Sequence, residues 1–242
     1  MGLFGFGKKS SETATAEAPS QGQIDLMKQR VDLVKKISLE KNIPETQKSR
    51  VALVLDHSGS MSNLYRSGFV QRLLERLMPL GIRFDDNQAI DVFIFHNNAY
   101  EVGEVTPDRF QGFIQNEISK KYSMGGTEYA PIIEMVTRKY VTEPGDVGYV
   151  MFVTDGDNSD KKRARQAVTE AAKHGIFWQF VGIGNDHFDF LEELDEMEGR
   201  VIDNANFFQV RDIERMSDEE LYSKMMGEYP QYLTEAKTKG II

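Results

Sequence analysis

Val51-Ala52-Leu53-Val54-Leu55 is an unbroken apolar run, rich in branched side chains, that ends abruptly on Asp56. With no polar alternation, such a strand has no face to offer water and must be covered on both sides, as strands of parallel sheets are. Residues 89–96, 147–154 and 176–183 repeat the pattern, and 207–210 is a shorter version. Helical spacing fills the gaps: residues 64–80, with the stripe Phe69, Leu73, Leu74, Leu77 and Met78, then 129–142, 159–174, 187–197 and 217–228. Asn97-Asn98 predicts a turn into a hairpin arm over 99–105, and Thr106-Pro107-Asp108 predicts the capped start of another helix. Strands alternating with helices predict an α/β fold, doubly wound, with a mainly parallel sheet flanked by helices.

Two pieces precede that domain, which is expected over residues 45–242. Residues 1–23 are rich in Gly, Ser, Ala, Thr and Glu. That mix cannot bury enough apolar surface to offset the entropy of ordering, and a disordered tail is expected. In residues 24–44, Ile24, Met27, Val31, Val34 and Ile37 recur at helical spacing opposite Lys28, Arg30, Lys35 and Lys36, which predicts a helical segment packed on the domain. The opening MGLFGFGKK places its basic pair after its apolar run, the reverse of a secretory signal, and Phe6 stands where a myristoylation signal has Ser or Thr. No stretch approaches the roughly 18 apolar residues of a membrane span.

Charge narrows the partners. With 29 Lys and Arg against 38 Asp and Glu, the net charge of -9 repels phosphate backbones, so no nucleic-acid partner is expected. Absence of cysteine removes the disulfide framework, the Cys zinc site and the thiol nucleophile, and suits the cytosol.

Ligands of doubly wound folds gather at the carboxyl ends of the strands. Asp56-His57-Ser58-Gly59-Ser60 stands at the end of the first strand, and Thr154-Asp155-Gly156-Asp157-Asn158-Ser159-Asp160 at the end of the 147–154 strand. Gly125-Gly126-Thr127 lies between them in sequence. Asp56, Ser58, Ser60, Thr127 and Asp155 thus offer only oxygen, and oxygen donors without His or Cys suit a hard cation. Magnesium fits best because it commonly takes one or two carboxylates and leaves water or a ligand to finish its shell. Manganese and calcium are the alternatives, although calcium usually asks for more carboxylate. His57 is expected as a spacer at the rim, Asp157 as a solvated loop residue and Asp160 as a helix N-cap.

In this order and these strand contexts, Asp-x-Ser-x-Ser at Asp56, Thr127 after its glycine pair and Thr-Asp-Gly at Thr154 resemble the metal-ion-dependent adhesion site (MIDAS) of von Willebrand factor A (VWA) domains. Phe84-Asp85-Asp86, Gly125-Gly126-Thr127-Glu128-Tyr129-Ala130-Pro131, the run from Phe177 to Gly184, and Asp203-Asn204-Ala205 are similar to the TerF-type branch, found in bacterial tellurium-resistance and stress proteins. The resemblance covers roughly residues 45–240. It implies a cytoplasmic, non-enzymatic module in which Ser58 and Ser60 bind the metal directly, Thr127 directly or through water, and Asp56 and Asp155 anchor coordinated waters. It further implies a protein partner that completes the shell with an Asp or Glu carboxylate.

The alternative is a magnesium phosphatase of the haloacid-dehalogenase type, suggested by Asp56 and the acidic 155–160 loop. That chemistry needs a general acid two residues after the nucleophile, where this chain has Ser58, whose hydroxyl cannot release a proton at neutral pH. Gly182-Ile183-Gly184 lacks the third glycine of a dinucleotide fingerprint and is read as close backbone packing. Lys161, Lys162, Arg163 and Arg165 are read as a solvated face, and Phe177, Trp178 and Phe180 as core.

Overall fold

In the computed structural model, which describes residues 18–143 and 145–242, the apolar runs become strands of one six-stranded sheet. These are β1 (Arg50–Asp56), β2 (Ile90–Phe95), β3 (Ala99–Val105), β4 (Gly148–Thr154), β5 (Ile176–Ile183) and β6 (Ala205–Val210). Their order across the sheet is β3-β2-β1-β4-β5-β6, and every pairing is parallel except β2 with β3. Successive side chains of a strand point to opposite faces, which explains why the central runs have no polar alternation. Val51, Leu53 and Leu55 join Tyr149, Met151 and Val153 in one core, while Ala52 and Val54 join Phe152, Trp178 and Phe180 in the other.

Eight α-helices cover the two faces: α1 (Gln21–Glu40), α2 (Ser62–Arg66), α3 (Phe69–Phe84), α4 (Ala130–Thr142), α5 (Lys161–Ala171), α6 (Asp189–Glu196), α7 (Asp218–Met225) and α8 (Tyr229–Thr238). The first core takes Val34, Leu74, Leu221 and Leu233 from α1, α3, α7 and α8. The second takes Ile133, Val168 and Leu191 from α4, α5 and α6. Among the described residues no helix is long and apolar enough to cross a membrane.

Four local features differ from the sequence expectation. Helix 64–80 is two helices, because Gly68 adopts a left-handed φ of 73° between α2 and α3. The helix expected at Thr106-Pro107-Asp108 is one turn, closed by Arg109 N–H on the Thr106 carbonyl at 3.0 Å. Gly112, at φ 62°, redirects the chain into a π-helical stretch over Ile114–Ser119. Helix α8 was not anticipated; Pro230 in its first turn restarts the helix just after α7. Finally, α1 begins at Gln21, inside the expected tail of residues 1–23, because Gln23 Oε1 accepts the Ser20 N–H at 3.0 Å. The part of that tail over residues 1–17 lies outside the described residues.

Helix α1 packs against α3 and α7 and buries Met27, Val31, Val34 and Ile37. A carboxylate fastens the three together. Asp218, the first residue of α7, receives Arg30 of α1 at 2.8 Å on Oδ2 and Arg76 of α3 at 2.7 Å on Oδ1.

Candidate metal centre

Asp56 is the last residue of β1, and its side chain is fully buried. Its Oδ1 accepts the Ser58 N–H at 2.8 Å and its Oδ2 accepts the Thr154 hydroxyl at 2.6 Å, so one bond shapes its own loop and the other crosses to β4. Burial pushes the Asp56 carboxyl up to about 6, against the lowering effect of the Thr154 and Ser58 bonds. Burial also raises Asp155, opposed by its hydrogen bond from Ser60. Among the described residues no lysine or arginine belongs to the groups that shift either carboxyl. A buried carboxylate without a cation is costly, and the cost is concentrated at the carboxyl pole of the sheet.

Beside Asp56 runs a chain of oxygen atoms. Ser58 Oγ and Ser60 Oγ are 2.9 Å apart, and Ser60 Oγ donates to Asp155 Oδ1 at 2.8 Å. Neighbouring ligands of an octahedral cation bound at about 2.1 Å are separated by about 3.0 Å. The two hydroxyl oxygens therefore already stand at the spacing of adjacent ligands, with Asp155 Oδ1 in hydrogen-bond reach beside them, and this donor set fits a small hard cation. Among the described residues no cluster of three or more His, Cys, Asp or Glu could hold a metal, so a cation held here would depend on the hydroxyls.

Thr127 reaches the same loop cluster by a different route. Ser58 and Gly125 form a parallel β-bridge, and Gly59 N–H donates to the Gly125 carbonyl at 2.9 Å. The Thr127 carbonyl accepts from Ser159 N–H at 3.0 Å and from its hydroxyl at 3.1 Å, which binds the 125–127 loop to the 155–160 loop. The Thr127 hydroxyl takes no part in the Ser58–Ser60–Asp155 chain. Space, not backbone angle, demands the glycines. A Cβ on Gly125 would lie 2.8 Å from His96 Nδ1, and one on Gly126 2.9 Å from Asn97 Nδ2.

The supporting roles of several residues escaped the sequence reading. Thr154 is the hydroxyl donor to Asp56. The Tyr129 hydroxyl bonds Thr154 Oγ1 at 3.2 Å and the Gly156 carbonyl, bracing the β4 end, and Tyr65 donates to the Asp56 carbonyl at 3.0 Å. Asp160 stands at the N-cap position of α5, but its carboxylate accepts Tyr129 N–H at 2.9 Å and Ala130 N–H at 2.8 Å and so caps α4 instead. Asp157 pairs with Lys161 at 2.6 Å. His57, expected at the rim, is 1% exposed and turns its ring edge to Tyr65, with centroids 4.9 Å apart.

Other sequence features find plain structural uses. Arg163 pairs with Glu134 and Arg165 with Glu193, leaving the basic cluster as a laced surface. Gly182 lets the Phe188 ring pack where a Cβ would lie 2.8 Å away, and Trp178 is wholly buried.

A family model described as the vWA found in the TerF C terminus matches residues 48–242. The chain is 42% identical over 224 residues to the protein named "Uncharacterized protein YcbR" of Bacillus subtilis (strain 168), covering 90% of this chain and 90% of that one. A shorter match to Copine-D of Dictyostelium discoideum is 25% identical over 120 residues and covers 50% of this chain and 20% of that protein. Among solved structures, a von Willebrand factor type A protein from Catenulispora acidiphila aligns with a TM-score of 0.53 at 17% identity, over 75% of this chain and 43% of that one. Proximal thread matrix protein 1 from the mussel byssus, with a zinc-occupied MIDAS motif, aligns with a TM-score of 0.51 at 16% identity, over 75% of this chain and 46% of that one. The chain thus spans less than half of those two solved chains, and at such identity the likeness shows the fold. By the family match, the chain belongs to the vWA-TerF-like family, and its mostly parallel six-stranded sheet is the doubly wound VWA fold.

Proposed function

We propose that this member of the vWA-TerF-like family is a cation-dependent protein-interaction module with a MIDAS-type magnesium site. Ser58 and Ser60 would hold the cation through their hydroxyl oxygens, Thr127 directly or through water, and Asp56 and Asp155 would anchor coordinated waters. When bound, the cation supplies an exchangeable coordination position for a partner's Asp or Glu carboxylate. The observation that carries this reading is the oxygen chain from Asp155 through Ser60 to Ser58, at 2.8 and 2.9 Å, beside a buried Asp56 that forms no ion pair among the described residues. Support of a coarser kind comes from the zinc-occupied MIDAS motif of the mussel protein that shares the fold.

The reading is non-enzymatic, cytoplasmic and, through the TerF-like family, part of a bacterial response to tellurite or related chemical stress. Crystals soaked in manganese should show an anomalous peak among Ser58, Ser60, Thr127 and Asp155; no peak there sinks the site. The phosphatase alternative predicts hydrolysis of an aryl phosphate in magnesium that Asp56→Asn stops, and we expect no turnover above the protein-free control. Expression of the gene and its deletion phenotype under tellurite test the stress role separately.

A further inference from the structure

A groove opens beside the candidate metal centre. Helix α2 supplies one wall with Tyr65 and Arg66, the π-helical stretch supplies the other with Gln115, and Tyr122 and Met124 close it just before the chain enters Gly125. The volume is about 360 Å³. A cavity of about 150 Å³ holds a benzene ring, so an aromatic side chain fits with room for the backbone that carries it. Short π-helical segments are rare and concentrate at functional sites. Here one shapes a wall of the groove.

Two polar groups on this groove are incompletely paired. His57 lines it, is 1% exposed, and its Nδ1 has no hydrogen-bond partner. The Arg66 guanidinium bonds Asn63 Oδ1, and among the described residues it forms no ion pair. By contrast Arg72 and Arg76, one and two turns into α3, pair with Glu214 and Asp218. In a chain of net charge -9, an arginine without an ion pair among the described residues, on a groove lined by two tyrosines, a methionine and several polar side chains, is a local attraction for an anion.

We propose that the groove selects the partner: it takes an acidic peptide in which an aromatic residue adjoins the carboxylate directed to the metal. This rests on the reading of the loop cluster as a metal-carboxylate centre. The ring lies among Tyr65, Tyr122 and Met124, whose faces, edges and sulfur suit an aromatic better than an aliphatic chain. Arg66 meets a second acid or stacks on the ring. His57 sits between Asp56 and Ser58 in the chain, so the groove begins beside the donor cluster. Successive side chains of an extended peptide point to opposite faces, so a peptide whose backbone turns between the ring and the acid brings neighbouring residues to both.

The test uses the full chain in magnesium and a capped Gly-Glu-Tyr-Asp-Gly peptide, whose ring has an acid on either side, with affinity measured by calorimetry or NMR titration. Changing the peptide's Tyr to Ala should weaken binding at least tenfold, and converting both acids to amides should abolish it. Gln115→Trp, which fills the groove, and Arg66→Ala should each weaken the Tyr peptide while leaving the magnesium-induced rise in melting temperature unchanged. Equal affinity of the Tyr and Ala peptides, or no binding of the Tyr peptide at millimolar concentration, overturns the groove. Loss of binding with amides but not with Ala leaves the metal reading standing and the groove refuted. Binding indifferent to both chelator and amides refutes the metal reading itself.

Discussion

Asp218 and Asp56 are both largely withdrawn from water, and both have each carboxylate oxygen occupied, yet the donors differ in kind. Asp218 receives two guanidinium groups, Arg30 and Arg76, and sits in the first turn of α7, where the helix dipole also favours negative charge. Asp56 is deeper and receives a backbone N–H and a threonine hydroxyl, with no ion pair among the described residues. Where the fold uses a carboxylate to join its own helices, it supplies the counter-charge. At the carboxyl pole the described residues supply oriented dipoles and hydroxyls, and under the proposed reading a bound cation brings the counter-charge. The two acids can therefore be separated by what each needs for stability.

The largest expected effect belongs to Asp218. Asp218→Ala removes two charge-assisted bonds and leaves two partly buried guanidinium groups without their carboxylate, Arg76 keeping its bonds to the Ile213 and Met216 carbonyls, which should cost about 3 kcal/mol. Urea unfolding should give the same loss in magnesium and in chelator. A cost below about 1 kcal/mol would mean that α1 is held by its apolar face alone, and the contrast with Asp56 would lose its structural half.

Magnesium supplies the converse. At a concentration about 100 times its dissociation constant, a cation bound only by the folded chain stabilises by about 2.7 kcal/mol. Asp56→Asn should abolish that gain yet cost little in chelator, because the amide still accepts from Ser58 N–H and no longer buries an uncompensated charge. Asp155→Ala should also abolish the gain. Thermal or urea unfolding with and without magnesium reads all three proteins. A full magnesium response in Asp56→Asn would move the cation elsewhere.

A third change strikes the loop and not the charge. Gly125→Ala places a Cβ 2.8 Å from His96 Nδ1, and His96 is itself fixed by accepting the Asn98 N–H. Overpacking of this kind should cost about 1–2 kcal/mol. Because Gly125 is bridged to Ser58, the magnesium gain should shrink as well. Stability lost with the magnesium response intact would show that the 125–127 loop does not position the hydroxyls.

These contrasts also explain what could be read from the residues alone. Buried parallel strands announce themselves, since a run such as Val51 to Leu55 has no other stable use, and the oxygen donors are visible because they directly follow such runs. The bracing is not visible. Thr154 meets Asp56 across 98 residues, and Asp160 caps α4 across 30 or 31. Neither partner is marked by any local pattern. The break between α2 and α3 rests on one left-handed glycine in an otherwise periodic helix. The arginine pair on Asp218 joins helices that begin nearly 200 residues apart, so only packing reveals it.

The smallest effect comes from Asp195, which shows whether a missing cation is enough to mark a site. Burial, then Glu228, pushes its carboxyl up to about 7, while the nearby Arg200 is committed to Asp203 at 2.8 Å. Like Asp56 it lacks a salt bridge of its own; unlike Asp56 it has no chain of hydroxyls beside it. Its folded-state value lies above the unfolded value of about 3.9, so the folded chain holds the extra proton between those limits. The stabilisation it contributes is therefore complete below about pH 4 and is lost as pH rises through about 7. Asp195 is only partly buried, and solvent screening should keep the effect below about 1 kcal/mol. Unfolding midpoints from pH 5 to 8 in chelator should fall less steeply in Asp195→Asn than in the wild type, and magnesium should stabilise both proteins equally. If Asp195→Asn instead removed the magnesium response and Asp56→Asn kept it, the bare carboxylate would be the determinant and the oxygen chain incidental.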